Sequence, residues 1–436
     1  EAECVLRGYL SRTLQISENA WTVSTSSVSG RGLFATREIL PDEEIFHDRA
    51  VVIGPRLNQT QPVCVCCYKI THVTSCPGGC QLPVCNSNCP GYLEHLKECQ
   101  YLKANLLNKE EKNWSLRLLQ VLTALRCLLL DEEDKKVVKC LQSLSKNHPS
   151  LEIEILKKYL GYNLTTSDEN WLRFCCLVMD CNAFEAQLDN RASRDKTTTS
   201  LRGLYPLAAL MNHDCSPNTY HIYDDKFIMK VKAAKLIHKG EEITASYTSL
   251  LWNTTVRRSH LLKTKQFFCK CERCKDPTEF GSMLSSLFCP QCKEGKILPL
   301  TSIEVDSFWE CGSCLFKVSP TQVYSLHAVQ GKLLSYINTS APELIIQFIE
   351  SKPPPCEQVS IQLKQGLIWQ IGYTEGYFWE ELPINLLDLK EKYCYELLHI
   401  LDLLRLGECR IKGMILNELH CVIEEKKRKE AIQENI

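Results

Sequence analysis

The sequence predicts an α+β fold in which short β-strands are joined by helices and by compact cysteine-rich units. Three observations predict it. Short runs of alternating apolar and polar residues fall in two separated stretches, 19–60 and 201–250. The stretches 100–190 and 320 onward carry apolar residues at helical spacing. Twelve of the 26 cysteines fall in pairs with two or three residues between them, the spacing at which a chain turns back on one zinc ion.

The chain has 436 residues, which suggests about three domains. A hydrophobic content of 44% is ordinary for a folded protein. The formal charge of −1 gives no strong field for nucleic acid, so direct nucleic-acid binding is not indicated. Disulfide scaffolds are commonest in small secreted chains with weak cores, and this chain is neither small nor core-poor. Residues 1–30 show no basic start followed by an apolar run. An intracellular, reducing compartment is therefore expected. No apolar run reaches membrane-spanning length; the best, Leu118 to Leu130, is broken by Gln120 and Arg126.

In chain order, Trp21 and Val23 begin an alternating strand, Ser29 to Gly32 is a turn, Leu33 to Thr36 a short strand, and Pro41 to Glu44 another turn. Residues 64–99 hold too few apolar residues for a core of their own. Leu116, Leu119, Leu122 and Leu125 repeat at helical spacing within Trp114 to Leu130. Thr166 to Asp168 supply N-cap candidates for a following helix, which Glu169 supports. Asn190 to Ser200 reads as a polar loop. Phe227, Met229 and Val231 alternate as a strand, and Ile243 to Tyr247 form another. Residues 257–266 look helical, 269–314 are again cysteine-rich, and the helical tail is broken at Pro353 to Pro355. The charged run Glu424 to Glu430 reads as a solvated helix end.

The first cysteine cluster is Cys64-x2-Cys67, Cys76-x3-Cys80, Cys85-x3-Cys89 and His95-x3-Cys99. Eight ligands suffice for two tetrahedral zincs. Interleaving assigns Cys64, Cys67, Cys85 and Cys89 to one ion, and Cys76, Cys80, His95 and Cys99 to the other. Cys269, Cys271 and Cys274 make three thiols, one short of a structural site. Cys215, inside the NHDCSPN turn of Asn212 to Asn218, is the candidate fourth. Cys289, Cys292, Cys311 and Cys314 have zinc-ribbon spacing. About four zinc ions are expected.

Gly30-Arg31-Gly32, NHDCSPN, GEEITASY (Gly240 to Tyr247) and the Cys-x-Cys-x2-Cys flap together resemble the SET-domain methyltransferases. The eight-ligand cluster looks like a MYND finger, so the chain is similar to the SET and MYND domain-containing protein-lysine methyltransferases. The resemblance covers nearly all of residues 19–274. It implies an α+β fold with a SET-domain β-fold and pseudoknot, split into 1–63 and 201–250. It places a MYND-type zinc finger at 64–99, a helical insert at 100–200 and a post-SET zinc flap at 251–280. A zinc-ribbon-like module at 281–319 and a C-terminal α-helical, TPR-like domain at 320–436 follow.

By the same resemblance the methyl donor is S-adenosylmethionine. Backbone at Gly30, Arg31 and Gly32 would approach it, Asn182, Asn212 and His213 would hold its polar groups, and Phe267 would pack near its adenine. Tyr247 would direct its hydroxyl at the acceptor amine, with Tyr205 as a second catalytic candidate supporting the channel. The acceptor is the ε-amine of protein lysine, histone or non-histone, in transcriptional or chromatin regulation. A monomer in cytoplasm and/or nucleus is expected, with proline-rich peptide partners for the MYND finger and no membrane association. The competing reading is a catalytically weak or inactive adaptor that binds proline-rich partners as a transcriptional corepressor. One departure favours it: Lys265 stands where the family often has a channel-lining Tyr, four residues before the first flap cysteine. Arg31 stands where many relatives have Asn.

Overall fold

The computed structural model describes residues 2–14, 20–89, 91–111, 113–143, 150–186, 200–337, 341–351 and 356–434. Most of the polar loop expected at 190–200, and the proline run at 353–355, lie outside them. The chain opens with helix α1 (Ala2–Thr13), then strands β1 (Trp21–Thr25), β2 (Arg31–Ala35), β3 (Glu44–Asp48) and β4 (Val52–Pro55). The first cysteine module holds only the two-residue strands β5 (Thr74–Ser75) and β6 (Pro83–Val84), and it runs into α2 (Tyr92–Asn105). Then come α3 (Leu116–Gln120), α4 (Leu122–Leu128), α5 (Glu132–Lys139), α6 (Leu151–Leu160) and α7 (Thr166–Asn182). The β module resumes with β7 (Phe184–Ala186), β8 (Leu201–Leu204), β9 (Asn212–His213), β10 (Thr219–Tyr223), β11 (Met229–Ala233) and β12 (Glu242–Ala245). Helices α8 (Thr254–Lys265) and α9 (Glu272–Lys275) lead to β13 (Leu287–Phe288), β14 (Lys296–Pro299), β15 (Trp309–Cys311) and β16 (Lys317–Val318). The tail is α10 (Pro320–Ile337), α11 (Pro342–Ser351), α12 (Glu357–Gln370), α13 (Ile384–Leu403) and α14 (Arg410–Glu434).

Three small sheets form the β module, in the orders β1-β2-β12-β9, β10-β11-β3 and β4-β8-β7. Strands from before and after the inserted modules pair in each, so the two stretches close into one unit. β9 joins β12 in parallel, with Asn212 beside Thr244 and His213 beside Ala245. That pairing delivers the NHDCSPN turn to the carboxyl end of the GEEITASY strand. Strands β13 to β16 form a separate antiparallel sheet around the ribbon cysteines.

Several local expectations are corrected. The repeat in 114–130 is two short helices, because Val121 breaks regularity between α3 and α4. The N-cap of α7 is Thr165, one residue earlier than expected, in a capping box with Asp168. β2 begins at Arg31, so the turn closes at Gly30, whose φ is +53°. Phe227 belongs to a turn at φ +58°, and only Met229 and Val231 continue the strand. β12 ends at Ala245, which leaves Tyr247 just beyond it. Helix α1 was not expected. It buries Leu6, Tyr9 and Leu10, and its Arg7 stacks on Trp21.

Arg126, which interrupts the apolar run of α4, rivets the cysteine module to the β module. Its guanidinium donates to both Glu98 carboxylate oxygens (2.6 and 2.8 Å), to Ile53 O in β4 (2.7 Å) and to Val65 O (3.2 Å). Glu98 in turn meets His95 Nδ1 at 2.7 Å. No helix among the described residues is long and apolar enough to cross a membrane.

Candidate active site and zinc centres

Four groups of ligand atoms converge, each within 4.8 Å of one another: Cys64, Cys67, Cys85 and Cys89; Cys76, Cys80, His95 and Cys99; Cys215, Cys269, Cys271 and Cys274; Cys289, Cys292, Cys311 and Cys314. Local spacing supplies three of these groups. The third group brings Cys215 across from a distant turn. Four thiolates at about 2.3 Å from a tetrahedral zinc must lie about 3.8 Å apart. Observed S–S separations are 3.9 Å for Cys64–Cys89, 3.7 Å for Cys76–Cys99, 3.5 Å for Cys215–Cys274 and 3.8 Å for Cys292–Cys311. His95 Nε2 lies 3.4 Å from Cys80 Sγ, near the slightly shorter S–N edge. All 26 cysteines are free thiols, so the donor sets fit zinc and no disulfide competes.

A polar cradle forms where β2, β9 and β12 meet. Asn212 Nδ2 donates to Glu242 Oε1 (2.7 Å), Ser29 O (3.1 Å) and Arg31 O (3.2 Å). Glu242 also accepts from Ser26 Oγ at 2.9 Å. A Cβ at Gly32 would collide with the Glu242 carboxylate and sit 3.1 Å from Asn212 Nδ2. A side chain there would have to push the Glu242 carboxylate aside, so glycine keeps the cradle in this arrangement. Beside Gly30 a Cβ would meet nothing within 4 Å, so open space faces the turn. The Arg31 guanidinium points elsewhere, to Cys140 O. Glu242 was not singled out by the sequence, although it sits inside GEEITASY.

The imidazole of His213 does not join this cradle; it turns away from Asn212 and Glu242. Successive strand residues face opposite ways, and His213 points at the flap. Its Nδ1 accepts from Tyr247 N–H at 3.0 Å, and its Nε2 lies 3.2 Å from Cys215 Sγ. Burial pushes its pKa down to about 4, so the ring is neutral and carries its proton on Nε2. His213 thus links a zinc ligand to the backbone of Tyr247. Phe267 packs on the same ring, with centroids 6.1 Å apart.

Tyr247 donates its hydroxyl to Met211 O at 2.6 Å, and burial raises its pKa. It opens onto a cleft of about 1010 Å³ whose other aromatic walls are Phe184, His221, Trp252 and His260. Asn182, the last residue of α7, lines the cleft and donates to Gln142 O (2.6 Å) and Val178 O (2.7 Å). Lys265 also lines it. Tyr205, the second catalytic candidate, is corrected. It is fully buried and its hydroxyl donates to Phe227 O at 2.7 Å. Its ring lies behind Phe184, 6.2 Å away, and over Gly203, where a Cβ would strike it. Tyr205 is a positioning residue for the aromatic wall.

Two buried arginines hold the flap. Arg257 and Arg273 both reach Glu279 Oε2, at 2.7 and 3.0 Å. Arg273 also donates to Cys215 O (3.0 Å) and Leu250 O (2.8 Å), and Arg257 approaches Cys274 Sγ at 3.6 Å. The sequence reading missed this network, since nothing local distinguishes a buried arginine from a solvated one.

Residues 30–248 match the SET domain family. The chain is 33% identical over 426 residues to the SET domain-containing protein SmydA-8, isoform B, of Drosophila melanogaster, covering 93% of this chain and 92% of that protein. It is 28% identical over 267 residues to the N-lysine methyltransferase SMYD2-B of Xenopus laevis, covering 57% of this chain and 60% of that protein. With the histone-lysine N-methyltransferase Smyd1 of Mus musculus it shares 23% identity over 362 residues, 72% of each.

Proposed function

The chain belongs to the SET and MYND domain-containing family, and from that membership we propose that it transfers a methyl group from S-adenosylmethionine to the ε-amine of a protein lysine. One observation carries this reading. An unbroken set of contacts runs from Gly32 through Glu242 and Asn212, along β9 to His213, and on to Tyr247 at an aromatic cleft.

When bound, S-adenosylmethionine supplies an electrophilic methyl on a sulfonium. The chain's own residues do the rest. The Glu242 carboxylate, Asn212 and the open backbone at Gly30 to Gly32 suit a polar, cationic ligand, and Phe267 offers an apolar face. Transfer to an amine is an in-line displacement, so alignment at about 3–3.5 Å is the main requirement. Loss of water around the acceptor amine in the cleft favours its neutral form, because burial disfavours the charged one. Tyr247 is fixed at both ends, by His213 at its N–H and by Met211 O at its hydroxyl. A phenolic oxygen held this way can accept weak C–H···O contacts from a polarised methyl.

Action in transcriptional or chromatin regulation, location in cytoplasm and/or nucleus, a monomeric state and capture of proline-rich peptides by residues 64–99 belong to the same proposal. The adaptor reading keeps one supporting observation, the presence of Lys265 inside the cleft. Incubation with radiolabelled methyl donor and a mixed protein extract separates the two. Wild-type protein should label acceptors, and Tyr247→Phe should cut the rate by about 100-fold while still binding donor. Donor binding without labelling by either protein would sink the enzyme reading.

A further inference from the structure

Lys265 stands at the end of α8, and its ammonium crosses to the end of α7. It donates to Cys181 O at 2.6 Å and to Asp180 O at 3.0 Å, and sits 5.7 Å from the centroid of the Tyr247 ring. Helix carboxyl ends carry partial negative charge and favour a cation, and an aromatic face does the same. The surrounding carboxylates are engaged elsewhere. Asp180 and Glu152 pair with Arg202, and Glu185 pairs with Arg56. Among the described residues no carboxylate lies within ion-pair distance of Lys265. Burial pulls its pKa below the ordinary lysine value and Arg202 adds to this, while Cys181 and Asp180 oppose. His260, on the same helix, also lines the cleft, and burial and then the Lys265 charge hold its pKa down.

We propose that Lys265 is a specificity-determining residue of the acceptor site: its ammonium, pinned on Tyr247 by the carbonyl end of α7, takes the cation position that a methylated lysine would use, so that one methyl group is added per acceptor. This rests on the methyltransferase reading. In the transfer the amine lone pair forms the new N–CH3 bond, the S–CH3 bond breaks, and positive charge passes from sulfur to nitrogen. The product is a methylammonium, whose proton must leave to solvent before a second transfer. An aromatic wall would hold that cation in the cleft. The resident ammonium repels it instead. The same like-charge repulsion lowers the pKa of an arriving amine and helps it lose its proton.

The test compares wild type with Lys265→Arg, Lys265→Met and Lys265→Gln, using radiolabelled donor and a mixed protein extract. Labelled acceptors are hydrolysed to amino acids, and mono-, di- and trimethyllysine are separated. Wild type and Lys265→Arg should give monomethyllysine. Lys265→Met should shift most label into di- and trimethyllysine. Without the cation the acceptor amine's pKa in the complex rises, so the ascending limb of rate against pH should move up by about one unit. Lys265→Gln, which can still donate to the α7 carbonyls, gives the same readings if Lys265→Met loosens α8. Uncharged variants with wild-type products and pH limb would overturn the inference, as would methylation found on Lys265 itself. A wild type that binds donor and transfers nothing would instead remove the activity on which the inference stands.

Discussion

At Gly32 the backbone passes so close to the Glu242 carboxylate that any side chain would displace it. Gly32→Ala should therefore break the Asn212–Glu242 hydrogen bond. A hydrogen bond to a charged group contributes about 1.5–3 kcal/mol, so affinity for the methyl donor should fall by roughly 10- to 100-fold. Calorimetric titration with donor checks this, beside a zinc content that should stay at the wild-type value. Unchanged affinity would remove Glu242 from the cradle. The glycine turn was legible only together with the other motifs, because two nearby glycines by themselves mean no more than a turn. Glu242 was not, since its partners Ser26 and Asn212 lie on other strands. The opposite facing of Asn212 and His213 could have been read, because adjacent strand residues alternate. Tyr205 was the converse case: its burial depends on Phe227 and Gly203, which no local pattern connects to it.

Among the elements, the flap shows how far spacing can be read. Three thiols at 269, 271 and 274 demand a fourth ligand, and the polar NHDCSPN turn around Cys215 made it the candidate, which the fold brings within 3.9 Å of Cys269 Sγ. The imidazole between Cys215 and Tyr247 was hidden, because it depends on the parallel pairing of β9 with β12. That imidazole makes the flap part of the active site. Cys215→Ser should lose about one of the four zinc equivalents and weaken donor binding at the same time. Metal analysis and donor titration on one preparation check both. Loss of zinc with full donor affinity would show that the flap and the cradle are independent. Helix starts were read less well. Thr165 and Asp168 form the capping box of α7, yet the stretch beginning at Thr166 looked equally suitable. Helix α1 escaped because it buries only three residues, too few to set a clear period.

On the scale of the whole molecule, the apolar interior has two large cores, beside small clusters at the flap and around Ala186, Leu201 and Phe227. One core runs from Leu6 to Ala245 and unites the β module, the first cysteine module and the helical insert. The other runs from Leu251 to Val422 and unites the ribbon with the C-terminal helices. The segment between α13 and α14 helps join them. Leu404 O accepts from Ser216 Oγ of the NHDCSPN turn at 2.9 Å, and Glu408 N–H donates to Ala234 O at 2.7 Å. Gly407 makes the second contact possible. Its φ is +61°, and a Cβ there would run into Ala234 O. Gly407→Val would cost about 1–2 kcal/mol from backbone conformation alone, and the clash with Ala234 adds to it. The variant should lift the C-terminal helices from the turn while both cores stay folded. In hydrogen exchange the Glu408 amide should lose protection by at least tenfold, with core amides in α4 and α13 unchanged. Because the same turn carries Cys215 and leads from Asn212, donor affinity should fall along with that protection. If Glu408 loses protection and donor binding stays intact, the C-terminal helices are passengers on this turn rather than supports for it.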